Sequence, residues 1–188
     1  MGEANYEHEN YDGHETGGPY VLRQQEYWTM TSGATGQLYG DHDTWDSGTD
    51  WAYEVKHLDT VGVAQLNIMQ SFFRSLAWYN LVPDQGHKFV TAGYGTFKST
   101  GYVQGNNYVT AALTRDGTTG VIYLPTKHTI RVNLARMSGA VRAWWFNPVS
   151  GKYRAIGRFA NTSIHRFTSP PAHRDGFDDW VLLLRSSS

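Results

Sequence analysis

The run Glu3-Ala4-Asn5-Tyr6-Glu7 places two carboxylates four positions apart, with an amide and a phenol between them. Paired carboxyl groups are the chemistry of glycosidic-bond cleavage. Retaining enzymes hold them about 5–5.5 Å apart and inverting enzymes about 6.5–9.5 Å apart. Glu3 and Glu7 share one loop, which sets no rigid spacing between them. The Asn5 amide and the Tyr6 hydroxyl lie between them, and an ordered Tyr hydroxyl is able to orient a carboxylate by hydrogen bonding. A second polar loop, Asp41-His42-Asp43-Thr44-Trp45-Asp46-Ser47-Gly48 running on to Trp51, offers His42, Trp45 and Trp51. Its indoles could stack on sugar rings, because a pyranose packs its C–H groups on an aromatic face. His8, His14 and His42 with Asp12 and Asp41 lack H-x-x-x-H or similar ligand spacing. No metal and no cofactor is therefore expected.

Bulk composition narrows the field. Aromatic residues make up 14% of the 188 residues, with 7 Trp and 12 Tyr, and charged residues only 18%. Sugar-stacking proteins have this balance, and so do large β-sandwich cores, so composition leaves both open. Net charge is −1 and the pI about 6.7, which excludes a basic footprint for nucleic acid. No run of 18 or more apolar residues suggests a membrane span. There is no cysteine, hence no disulfide and no thiolate chemistry. The start Met1-Gly2-Glu3-Ala4-Asn5 lacks the basic region and apolar stretch of a signal peptide.

The elements that must position these residues follow from periodicity. Gly2 to Gly18 has no apolar period and reads as a long loop of functional length. Pro19 opens a helix over Tyr20 to Ser32, with Tyr20, Gln24, Tyr27, Trp28 and Thr31 on one face. Gly36-Gln37-Leu38-Tyr39-Gly40 is a short strand candidate. Asp59 is the expected N-cap of a helix from Thr60 to about Trp78, whose broad apolar stripe includes Val61, Ala64, Ile68, Phe72 and Leu76. The segment Trp78 to Gly86 reads as a linker.

After Gly86 the period becomes two. Strands are expected at 108–114, 120–124, 128–134, 140–146, 152–156, 164–167 and 180–184, with a hairpin at Asp116-Gly117. These spacings predict an antiparallel sandwich or barrel. Arg142, Trp144 and Phe146 share one face of their strand; Val141, Ala143 and Trp145 share the other. One face belongs to the core, so the other carries an aromatic that needs a partner. The preceding segment, one short strand and two helices, cannot close a core alone. A β-α-β-α run of this kind resembles the end of a (β/α) barrel.

Several runs then resemble a known family in order: Glu3-Ala4-Asn5-Tyr6-Glu7, Leu22-Arg23-Gln24-Gln25-Glu26-Tyr27-Trp28, Ser32-Gly33-Ala34-Thr35-Gly36-Gln37-Leu38-Tyr39-Gly40 and Trp78-Tyr79-Asn80-Leu81-Val82-Pro83-Asp84-Gln85. They are similar to the C-terminal half of apiosidase-like glycoside hydrolases. Tyr123-Leu124-Pro125-Thr126, Trp145-Phe146-Asn147-Pro148-Val149-Ser150-Gly151 and Asp179-Trp180-Val181-Leu182-Leu183 look like the β-domain appended to those enzymes, which carries a collagen-binding label.

The resemblance implies the fold class α/β plus all-β. Residues 1–85 would be the last βα units of an incomplete TIM barrel, and residues 86–188 an antiparallel β-sandwich able to fold independently. It implies that Glu3 is the nucleophile-type carboxylate, with the acid/base carboxylate on an upstream strand, so that this chain by itself is expected to be inactive. Asn5, Tyr6 and Glu7 would then line the cleft, with the Tyr6 hydroxyl orienting the nucleophile, and the loop holding His42, Trp45 and Trp51 would be the eighth βα loop on the catalytic face. Expected partners are a carbohydrate substrate and the upstream barrel segment of the same protein, with no nucleic acid and no membrane. Export to the periplasm or beyond is implied by the family alone. The alternative is a non-catalytic sandwich module binding polysaccharide or matrix protein such as collagen.

Overall fold

The structure is a computed structural model and describes residues 4–11, 14–15, 17–45, 52, 55, 58–98 and 103–187. The polar N-terminal stretch contains a two-stranded antiparallel ribbon, β1 (Asn10–Tyr11) with β2 (His14–Glu15). Helix α1 (Pro19–Thr31) begins with proline at its first turn, where the absent N–H costs nothing. A short helix α2 (His42–Trp45) follows. Helix α3 (Val61–Arg74) is capped by Thr60, whose hydroxyl accepts from the Val63 N–H at 3.1 Å. The expected cap Asp59 lies one residue further out. The expected helix ends four residues early, at Arg74, and Trp78–Asn80 forms a separate 3-10 turn.

No strand is built from Gly36 to Gly40. The backbone there reaches a single parallel bridge between Asp41 and Glu7. The Glu7 N–H donates to the Gly40 carbonyl at 2.9 Å, and the His42 N–H donates to the Glu7 carbonyl at 2.9 Å. Two extended segments joined through α1 therefore lie parallel, as a β-α-β crossover requires.

The remainder is an antiparallel β-sandwich. A six-stranded sheet runs in the order β3 (Leu81–Pro83), β5 (Thr110–Thr114), β6 (Thr119–Leu124), β11 (Trp180–Ser186), β8 (Val141–Phe146) and β9 (Tyr153–Phe159). A three-stranded sheet runs β10 (Ile164–Thr168), β7 (Thr129–Asn133) and β4 (Val90–Ala92). Two of these strands were not legible in sequence. Leu81 pairs with Thr114 and Pro83 with Ala112, so the expected linker contains an edge strand of the larger sheet. β4 pairs with β7 across an irregular register. Asp84 stabilises the turn after β3, its carboxylate accepting from the N–H groups of Lys88, Phe89 and Val90.

The larger sheet is covered on both faces. Ile122, Leu124, Leu182, Leu184, Trp145 and Phe167 pack between the two sheets. The alternate residues Val121, Tyr123, Val181 and Leu183, with Phe146, pack instead against Tyr27 of α1 and Phe72 and Phe73 of α3. That is why Val181-Leu182-Leu183-Leu184 reads as an unbroken apolar run rather than alternating with polar residues: both sides are buried. The unpaired aromatic face foreseen on β8 finds its partner here, with the Phe146 ring 4.5 Å from Phe72. Polar contacts fix the angle of the seam. Tyr20 donates to the Pro125 carbonyl at 2.6 Å and the Trp28 indole to the Tyr108 carbonyl at 2.8 Å.

At the centre of the seam Arg23, 1% exposed, makes a two-pronged pair with fully buried Asp179, Nε to Oδ2 at 3.0 Å and Nη2 to Oδ1 at 2.9 Å. Gln65 of α3 accepts from the same guanidinium at 2.7 Å, and Tyr123 donates to Asp179 at 3.2 Å. Burial alone would lower the Arg23 pKa, but the hydrogen bonds and charge of Asp179 outweigh it and hold the guanidinium charged. Among the described residues no helix is long and apolar enough to cross a membrane.

Candidate functional site

The first candidate segment is anchored to α1 through its backbone. The Asn5 N–H donates to Gln25 Oε1 at 3.2 Å, and Gln25 Nε2 returns a bond to the Asn5 carbonyl at 2.8 Å. The side chains of Asn5 and Tyr6 are partly exposed at this edge. Tyr6 lies edge-on to Trp45, ring centres 6.4 Å apart, so the two candidate loops meet through these rings. Trp45 is 69% exposed, an indole presented to solvent rather than packed in a core. Gly40 lies beneath Tyr6, where a Cβ would collide with the ring. His42 is exposed beside Asp43, Nδ1 to Oδ1 at 4.0 Å. Glu3 and Trp51 lie outside the described residues.

Glu7 was expected at the cleft surface, and the structure places its carboxylate in the interior. It is 1% exposed. Oε1 accepts from the Gly62 N–H at 2.8 Å, and Oε2 accepts from the hydroxyls of Tyr39 and Thr60. The carboxylate thus sits at the N-terminus of α3, where free N–H groups and the helix dipole favour negative charge. A side chain at position 62 would collide with it, which accounts for glycine there. Burial, and next the bond to Glu7, push the Tyr39 hydroxyl above the ordinary tyrosine range, so it stays a donor. Glu7 therefore ties together the first segment, the Tyr39 stretch and α3.

His8 completes this edge. Its Nδ1 lies 3.1 Å from Asp41 Oδ1 and 3.2 Å from Asp43 Oδ2. Burial would lower the His8 pKa, but the hydrogen bond and charge of Asp41, with the charges of Glu7 and Asp43, raise it overall. The sequence suggested a different grouping with His14 and Asp12. Asp12 lies outside the described residues, and His42 approaches the cluster only at Asp43, 4.0 Å away, without joining the group of donor atoms shared by His8, Asp41 and Asp43. The missing signal was the parallel bridge, which brings positions 8 and 41 together across α1.

Chemically, the edge offers an amide, a phenol and an exposed indole around an extended segment that leads back to Glu3. Such groups bind a polyhydroxylated ring by hydrogen bonds and stacking.

Comparison with known proteins adds the following. Residues 82–185 match the family model described as "Putative collagen-binding domain of a collagenase", and residues 1–80 match the one described as "Apiosidase-like, catalytic domain". Among solved structures, one titled "Glycoside hydrolase" is 23% identical with a TM-score of 0.71, covering 97% of this chain and 41% of its own. A glycoside hydrolase family 5 protein from Bacteroides vulgatus ATCC 8482 is 20% identical with a TM-score of 0.72, covering 96% of this chain and 40% of its own. The chain thus spans well under half the length of both. A comparison with curated proteins found no match.

Proposed function

This chain belongs, over residues 82–185, to the family described as a "Putative collagen-binding domain of a collagenase", preceded by an apiosidase-like segment, and we propose that it is part of a glycoside hydrolase. The observation that carries this reading is the parallel bridge of Glu7 with Asp41 across α1. A parallel bridge joined through a helix is what two successive strands of a (β/α)8 barrel would contribute, and in such barrels the catalytic groups stand at the strand ends. Residues 1–85 are then the last βα units of the barrel except for β3 (Leu81–Pro83), which pairs into the larger sheet of the accessory sandwich formed by residues 86–188.

In this reading Glu3, four residues before Glu7, supplies the nucleophile-type carboxylate. The acid/base carboxylate comes from another barrel strand outside residues 1–188. Asn5 and Tyr6 hold the substrate's hydroxyl groups, and Trp45 stacks on a sugar ring, with His42 on the same short helix; Trp51 is a further candidate for stacking. Glu7 acts as a positioning residue by fixing the segment that follows Glu3 in the chain. The apiosidase-like match of residues 1–80 supports a plant-type polysaccharide side chain as the substrate class. The sandwich serves the barrel as a rigid buttress, because one face of its larger sheet is already occupied by α1 and α3.

The test uses a protein that joins residues 1–188 to the rest of its barrel, assayed on pectic side-chain oligosaccharides. Glu3→Gln is expected to lower kcat by roughly 10³-fold or more, the size of effect seen when one member of a catalytic unit is removed. A variant that keeps wild-type turnover removes Glu3 from this role. Residues 1–188 alone are expected to show no turnover; hydrolysis by the isolated chain would mean that both carboxylates lie within it.

A further inference from the structure

We propose that His8, Asp41 and Asp43 form a binding site for one first-row divalent cation of the Zn²⁺ or Mn²⁺ class, independent of the glycosidase reading above.

The three side chains each offer one donor atom, and these atoms lie within 4.8 Å of one another. His8 Nδ1 is 3.1 Å from Asp41 Oδ1 and 3.2 Å from Asp43 Oδ2. Nitrogen and oxygen ligands bind zinc at about 2.0–2.2 Å, which puts neighbouring donors on one ion roughly 3 Å apart. The existing spacing is therefore close to that of a coordination sphere before any ion enters.

A second observation points to a cation. Asp41 is 4% exposed, yet its Oδ2 has no hydrogen-bond partner among the described residues. A buried carboxylate oxygen left without a donor is costly, and a metal ion is one of the few groups that offsets that cost. The carboxylate is otherwise held in place: Oδ1 accepts from the Asp43 N–H at 3.0 Å, and the residue is fixed by its bridge to Glu7. Such pre-set ligands are what an ion site needs from its surroundings. His8 is 40% and Asp43 26% exposed, so the cluster opens to solvent for ion entry and for water ligands.

One imidazole with two carboxylates favours zinc or manganese over calcium and magnesium, which prefer all-oxygen sites. The bound ion would pin the His8 turn to α2 and so hold Tyr6 and Trp45 together at the rim.

The experiment uses the untagged 188-residue chain stripped with EDTA and titrated with ZnCl₂ by calorimetry, with thermal melts in parallel and MnCl₂ followed by EPR. One ion per chain is expected, with a rise in Tm at saturation and little competition from Ca²⁺. Asp41→Asn and Asp43→Asn are each expected to weaken binding by about tenfold or more, as loss of a ligand should exceed the effect of losing an outer-shell partner. Asp43 is partly exposed on a four-residue helix, so its variant keeps the test answerable if Asp41→Asn does not fold. The proposal is overturned if millimolar zinc gives neither heat nor a Tm shift. It is equally overturned if both Asp variants and His8→Ala bind as wild type, or if binding is abolished by His42→Ala alone.

Discussion

Glu26 sits on α1 at 1% exposure, and neither oxygen of its carboxyl group has a hydrogen-bond partner among the described residues. Burial raises its pKa to about 8; the charge of Arg23 opposes this and that of Glu7 adds to it. The sign of the pH effect follows. Below the ordinary value of 4.5 the group is protonated both folded and unfolded and adds no pH dependence. As pH rises, the unfolded chain ionises first while the folded chain keeps its proton, so stability falls until about pH 8 and then levels. Each tenfold difference in proton affinity between the two states is worth ~1.4 kcal/mol, so the loss amounts to a few kcal/mol. Urea unfolding at pH 5 and pH 8 should therefore show a lower midpoint at pH 8. Glu26→Gln should flatten that difference and be the more stable protein at pH 8. Equal midpoints for the wild type at both values would refute the assignment. The same residue shows what a sequence hides: Glu26 looks like a solvated helix position, because nothing local announces that α1 is enclosed between a sheet and a second helix.

The N-terminus of α3 is the element on which the candidate site hangs. Thr60 caps it locally, and Glu7, far earlier in the chain, caps it again through the Gly62 N–H. Gly62→Ala would ordinarily favour a helix, but here the methyl group would enter the space of the Glu7 carboxylate. We expect it to destabilise the chain by about 1–3 kcal/mol, the usual cost of overpacking, and to weaken protection of the Gly62 amide in hydrogen exchange. A stabilised Gly62→Ala protein would show that Glu7 does not occupy this position. Legibility at this scale tracks local information. Pro19, the stripe from Val61 to Phe72 and the Asp116-Gly117 turn carry their own signals, and α1, α3 and the β5–β6 hairpin follow them. β3 and β4 do not: each is three residues long, one contains proline, and both exist only because a longer neighbour offers an open edge. At the site, the aromatic and polar residue types were readable. The burial of Glu7 and the meeting of His8 with Asp41 were not, since both depend on pairing across more than thirty residues.

For the molecule as a whole, the seam between helices and sandwich decides what can stand alone. Arg23 and Asp179 are 156 residues apart in sequence and form a buried pair whose disruption typically costs about 3–5 kcal/mol. Around them lies the apolar cluster built from Tyr27, Met69, Phe72 and Phe73 on one side and Val121, Tyr123, Val181 and Leu183 on the other. The sequence suggests cutting at residue 86 to obtain a self-sufficient sandwich. That cut removes β3, opens the β5 edge, uncovers the apolar sheet face and strips Asp179 of its Arg23 partner. Each of these favours association through exposed strand edges or apolar surface. Residues 86–188 are therefore expected to self-associate and to melt well below the whole chain. Residues 81–188, which keep the edge strand, should be intermediate. Sedimentation velocity and amide dispersion on the two pieces check this. A monodisperse monomer of residues 86–188 with the dispersed amides and Tm of the intact chain would mean that the seam adds little. The sandwich would then be a separable module rather than a buttress for the helices.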